Sequence, residues 1–211
     1  MRMQTNTFPV YTYGELSDEA KSKVQSWWSA DLDYDCIYED AATIADLFGL
    51  DIRRTRKTLM NGGHRYDPTI YWSGFWSQGD GASFEGTYKY KKGALKAVKA
   101  YCGDAEVHRI VNGLQDVQRR HFYKLTARMG RGAGSNFYSH SNTMSVDVSH
   151  YDDEYRDIGD AEEEVTQLMR DFADWIYGQL EKEYDYQTSD EAVAEACEAN
   201  GYEFYEDGSI A

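Results

Sequence analysis

Cysteine is scarce in this chain, and so are the signatures of metal and nucleophile chemistry. Its three cysteines, Cys36, Cys102 and Cys197, are odd in number and lack CxxC spacing. That excludes a disulfide framework or a zinc ribbon and points to a reducing, intracellular setting. No apolar run approaches the roughly 18 residues of a membrane span. The opening MRMQTNTFPVYTYGEL has no apolar signal-peptide core, so a soluble, cytosolic protein is expected. There is no GxxxxGK followed by Ser or Thr, no HExxH, no GxSxG elbow and no EF-hand spacing. His140, His150 and Asp147 lack the spacing of a metal site. No cofactor, no metal ion and no catalytic residue is therefore assigned.

What the chain has is charge of one sign, and aromatics. It carries 37 acidic and 22 basic side chains, a net charge of −15, unevenly spread. Residues 1–85 hold 8 basic and 13 acidic groups, residues 86–131 hold 11 and 3, and residues 132–211 hold 3 and 21. A basic middle precedes a strongly acidic end. Aromatic content of 15%, with 18 tyrosines, argues against a disordered acidic chain. A chain of 211 residues can bury about 70% of its unfolded surface, enough for a core without staples.

Periodicity predicts an α+β single domain with small antiparallel sheets packed against several helices. Its acidic, helical end spans about 152–211. Ser17 before DEAKSKVQSWWSA starts a helix near Asp18, and Ile37, Ala41, Ile44, Ala45 and Phe48 mark a second over 35–48. The tract RRTRK leads into the turn chemistry of NGGHRYDP. TIYWSGFW and ASFEGTYKY read as strands of a hairpin. Helices are expected over 91–102 and 105–128, the second ended by the glycines of GRGAGS. SNFYSH and TMSVDVSHY form a second strand pair, with Met144, Val146 and Val148 on one face. A helix from Asp160 to about Tyr184 and another after Thr188-Ser189-Asp190, closed at Asn200-Gly201, complete the reading.

Two loops are candidates for a ligand site. In YWSGFWSQGDGASFEG, Gly79 and Gly81 allow backbone amides close to a ligand, with Gln78, Asp80 and Ser83 as polar contacts and Trp72, Trp76 and Phe84 as stacking walls. The same Gly-Asp-Gly also suits a tight hairpin turn. In RMGRGAGS, Arg128, Arg131 and Ser135 beside three glycines suit an anion nest, or simply a helix-to-strand connection. A nucleotide is the ligand such loops would hold. The flanking lysines and arginines can instead neutralise the acidic end. The acids Asp152, Asp153, Glu154, Glu162, Glu163 and Glu164 offer a partner surface whose charge row imitates nucleic acid phosphates. A net charge of −15 disfavours direct binding of nucleic acid.

YWSGFWSQGDGASFEG, the following KGALKAVKAY and the ending LEKEYDYQTSDEAVAEACEANGYEFYEDG resemble a family of uncharacterised phage and prophage proteins commonly labelled antitoxins of a toxin-antitoxin stability system. The resemblance runs through most of the chain and carries over no active-site residue. It implies an accessory protein of a mobile element. Such a protein acts by binding, as an inhibitor or antitoxin that occupies a host or phage protein, such as a defence or nucleic-acid-acting enzyme. The alternative is a protein that sequesters a nucleotide.

Overall fold

The computed structural model describes residues 8–132 and 138–211. They form an α+β protein that divides into two compact units, residues 35–180 and the two terminal stretches up to Tyr34 and from Glu181. No helix among the described residues is long and apolar enough to cross a membrane.

In the larger unit, α2 (Asp35–Phe48) runs over its predicted span and buries Ala41, Ile44, Ala45 and Phe48. Three extended segments follow, each divided in two. They are β1 (Leu50–Ile52) with β2 (Arg54–Thr58), β3 (His64–Pro68) with β4 (Ile70–Ser73), and β5 (Gly81–Phe84) with β6 (Gly86–Lys89). Every half pairs antiparallel with a half of another segment: β1 with β6, β2 with β3, and β4 with β5. Between the halves sit Arg53, Thr69 and Glu85, bonded in a ring. Arg53 N–H donates to Glu85 O (2.8 Å), Glu85 N–H to Thr69 O (3.1 Å), and Thr69 N–H to Arg53 O (2.7 Å). Thr69 follows Pro68, which has no amide proton to offer a ladder. Gly86 is required beside this junction, because a Cβ there would lie 2.4 Å from the Asp51 carbonyl oxygen.

After α3 (Ala94–Tyr101) comes α4 (Ala105–Arg120), capped by Asp104, whose carboxylate accepts from Glu106 N–H and Val107 N–H. The predicted helix to residue 128 is corrected here: the helix stops at Arg120 and β7 (Leu125–Arg131) begins. LTARMGR alternates in burial, with Leu125, Ala127 and Met129 inside, so period two prevails over the helical spacing of Leu125 and Met129. β8 (Met144–His150) pairs with β7, and the four-stranded sheet has the order β1-β6-β7-β8; Ser135 to Phe137 of SNFYSH lie outside the described residues, and Tyr138 to His140 form no strand. α5 (Ala161–Gln187) supplies Val165, Met169, Phe172 and Ile176 to the core. Phe172 lies edge-on to Phe48 and Phe84 at 5.1 and 5.9 Å between ring centroids. Leu168 packs so closely on Gly113 of α4 that a Cβ there would fall 2.9 Å away.

The smaller unit pairs α1 (Asp18–Trp28) with α6 (Asp190–Asn200), capped by Ser17 and Ser189. Val24, Val193, Cys197 and Phe204 pack in its core with Tyr13, whose hydroxyl donates to Asp190 (2.7 Å). Burial and that carboxylate push the Tyr13 phenol well above its usual range.

Gly86→Ala should cost about 1–3 kcal/mol or more in urea unfolding, since backbone must move to admit the methyl group. Gly178→Ala, on α5 where a Cβ meets nothing within 4 Å, should instead stabilise by roughly 0.5–1 kcal/mol.

Candidate functional site

The aromatic hairpin forms, but without the tight Gly-Asp-Gly turn. Ser73 pairs with Gly81, and residues 74–80 make a seven-residue connection. Asp80 organises it from within: its Oδ2 accepts from the amides of Trp76 (2.9 Å) and Ser77 (2.6 Å). Those bonds make Asp80 a turn clamp. Phe84 is corrected from stacking wall to core residue, 1% exposed against Phe172, and Ser83 is buried beside it. Gly81 makes room for His140, which a Cβ would approach to 2.8 Å. Trp72 stacks on Phe75 (4.9 Å) and donates from Nε1 to the Tyr38 hydroxyl (2.8 Å), while Phe75 meets Tyr177. Gln78, Gly79 and Trp76 remain exposed, Trp76 at 81%.

Arg128 and Arg131 lie on β7, and Ser135 is outside the described residues. The segment after the second loop does reach the first, for Ser139 exchanges hydrogen bonds with the Ser73 hydroxyl. The two arginines nevertheless turn elsewhere. Arg131 stacks over the Tyr71 ring (4.5 Å), Tyr71 donates to Glu85 (2.9 Å), and Glu85 holds Arg53 (2.6 Å). Burial and the Glu85 carboxylate push the Tyr71 phenol up. Arg128 stands on the open face of the sheet in the cross-strand row Asp51, Thr87, Arg128, Asp147. This row crosses a groove of about 750 Å³ that Gln78 to Ser83 do not line. Among the described residues, Arg128 and Arg131 do not join Gln78 to Ser83 in one site.

No group of three or more His, Cys, Asp or Glu side chains among the described residues is arranged to hold a metal. His140 accepts from Asn142 N–H, and Asp147 and His150 point to opposite faces of β8.

A third surface surrounds the break between α4 and β7. Phe122 and Tyr123 are the described non-glycine residues with positive φ, at 55° and 62°. Left-handed backbone costs roughly 1–2 kcal/mol per residue with a side chain. Here the turn is held from several sides. Tyr123 N–H donates to Gln118 O (2.7 Å), the buried Gln118 side chain bonds both backbone groups of Leu125, and Tyr123 packs on Tyr90 at 4.4 Å. Phe122 is left 73% exposed.

Both acidic sets flank this turn. Lys124 pairs with Asp152 and lies over the Tyr151 ring, and Arg120 pairs with Glu164 of α5. Asp153 accepts from Tyr155 N–H, which leaves Tyr155 95% exposed. Glu154, Glu162 and Glu163 are exposed. Among the described residues, the basic segment pairs with the acidic end through Arg120, Lys124 and, at Asp171, Arg109. Phe122, Tyr123, Tyr151 and Tyr155 were missed from sequence, where the only signal is aromatics next to charge.

Burial holds the His121 imidazole below its ordinary value, helped by the charges of Arg120 and Arg156. The unfolded chain then takes up the proton first. The stability from a neutral His121 is complete above about pH 6.5 and is lost as pH falls from there through the folded value. His121→Gln should flatten that part of the stability profile in unfolding measured from pH 7.5 to 5. Phe122→Gly should leave the protein as stable or up to about 1 kcal/mol more stable, by relieving the left-handed backbone.

Among the curated proteins and the solved structures, none matches this chain. A family model described as a domain of unknown function, DUF8835, matches residues 34–190, more than half of the chain and the whole of the larger unit. The chain therefore belongs to the DUF8835 family, and the hairpin, the sheet groove and the aromatic turn all lie within the matched residues.

Proposed function

We propose that this protein acts by binding a protein partner, with the aromatic turn and its acidic flanks as the contact surface. The carrying observation is Phe122, an exposed aromatic on a left-handed backbone that Gln118 and Leu125 hold in place. Strain maintained under an exposed ring favours presentation of that ring. Aromatic anchors surrounded by charge suit a partner surface that is basic around apolar pockets. The resemblance to phage and prophage antitoxins supplies the partner class, a host defence enzyme or toxin that acts on nucleic acid, and the host cytosol as the place.

The test is affinity capture from a bacterial host lysate, with the captured protein then titrated against purified variants. Phe122→Gly with Tyr155→Ser should weaken binding by at least about tenfold, or roughly 1.4 kcal/mol. Asp152→Lys, Asp153→Lys and Glu154→Lys together should also weaken it, and more at low salt than at high. Asp80→Ala should act only through stability. A partner that binds all of these equally sinks the proposal.

One observation favours a second reading, an anionic ligand in the sheet groove. Arg128 lines it and makes no ion pair with any described residue. A melting temperature raised by a nucleotide in the parent protein but not in Arg128→Ala would support that reading. No shift with any nucleotide would remove it.

A further inference from the structure

Among the described residues, the β2–β3 ribbon is built unlike the other pairs of strands. All five residues of β2 are exposed, as are His64, Arg65 and Tyr66 of β3, and burial begins only at Asp67. A ribbon with neither face in the core gains little from apolar burial, so its sequence carries charge instead. From Arg53 to Tyr66 there are five Arg and Lys and no acidic residue.

Ion pairs run along this ribbon from Arg54 at its base to Lys57 and Arg65, one register position from its last strand pair. Asp67 holds Lys57 (2.7 Å) and Arg65 (2.5 Å), Arg65 also pairs with Asp35, and Glu39 takes Arg54 (2.7 Å). Burial would raise the Asp67 carboxyl, but Lys57 and Arg65 outweigh it and hold it below its usual value. Arg56, at the middle register position, differs. Arg56 contacts His64 and has no carboxylate within ion-pair distance among the described residues. It stands opposite exposed Tyr66 across the strands.

The tip is tightly made and apolar. Leu59 N–H donates to Gly63 O (2.9 Å), Gly62 N–H to Leu59 O (2.9 Å), and Gly63 N–H to the Asn61 side chain (2.9 Å). This leaves Leu59 exposed and Met60 wholly so.

We propose that this ribbon is a DNA-binding arm that enters the minor groove of double-stranded DNA, with Arg56 toward the phosphates and Met60 as a wedge at the base steps. Three physical arguments converge. A two-stranded ribbon can lie in a groove of the duplex, and apolar tips such as Met or Leu are what minor-groove proteins insert between base steps. Guanidinium and aromatic groups opposite each other, as Arg56 and Tyr66 are, suit phosphate and sugar contacts.

The third argument concerns charge. The chain's −15 makes duplex binding look unfavourable, but the two units share it unequally. The larger unit has 22 acidic and 18 basic groups, a net of −4, and the terminal unit has 15 and 4, a net of −11. Residues 53–68 hold five of the larger unit's basic groups and one acidic group.

The test is fluorescence anisotropy with the full chain and a labelled 24-base-pair duplex across a series of salt concentrations. Micromolar binding at low salt that weakens as salt rises is expected. Arg56→Ala should lower the steepness of that salt dependence by about one unit, and Met60→Ser should weaken binding with the steepness unchanged. Arg56→Glu should reduce affinity more than tenfold, with unfolding curves reporting that the fold persists. Lys96→Ala with Lys99→Ala, on α3, should have little effect. The proposal is overturned by no binding at low salt, by equal affinity for polyglutamate or for single-stranded DNA of the same length, or by loss in the α3 variant with retention in the ribbon variant.

Discussion

The larger unit depends on a ring of three backbone hydrogen bonds. At Arg53, Thr69 and Glu85 each of three strands leaves one partner and takes another, and every N–H at the junction finds a carbonyl in the ring. Buried backbone groups left unpaired would be costly, so strands can diverge inside a fold only where such an exchange is complete. The divergence then decides what each half-strand can do. β1 and β6 continue into the sheet, β4 and β5 carry Phe84 to the core at Phe172, and β2 and β3 leave as a ribbon. Side chains reinforce the same point, with the Thr55 and Thr69 hydroxyls 2.7 Å apart and Arg53 paired with Glu85.

Legibility in the sequence followed burial. α2 was readable to the residue because its apolar face packs on the core at helical spacing, and Gly49 follows with φ of 95°. The β2–β3 ribbon was not readable as strands, since RRTRKT has no apolar alternation where neither face is covered. Its pairing is visible only in the coordinates. Leu125 and Met129 are four apart and satisfy a helix as well as a strand, so nothing in their spacing marked the end of α4. Neither glycine nor proline announces that break. Two aromatic residues adopt the positive φ, which composition alone does not suggest.

The candidate sites divided the same way. The acidic groups were readable as a surface, because runs such as EEE on the first turn of a helix face solvent. Their grouping around Phe122 was not, since it rests on Arg120–Glu164 and Lys124–Asp152, pairs separated by 44 and 28 residues. The glycine loops illustrate the opposite case. QGDGAS looked chemical because glycine and an acid recur there, yet Asp80 is consumed by two amides of its own turn. A polar group already satisfied within its loop has little to give a ligand.

Natural sequences depart from local rules mainly where something other than stability is served. Two departures in the larger unit have no structural return within it. One is an exposed phenylalanine on left-handed backbone, where glycine or asparagine would cost less. The other is a wholly exposed methionine at the end of a cationic ribbon, where any polar residue would be better hydrated. The buried strain has a different character: Gly86 and Gly113 each permit a close approach that packing immediately rewards. On the proposed readings, these exposed features are contacts for partners outside the chain. They lie on different elements and differ in the charge around them, acidic at Phe122 and basic at Met60, so a single partner of one charge sign cannot account for both.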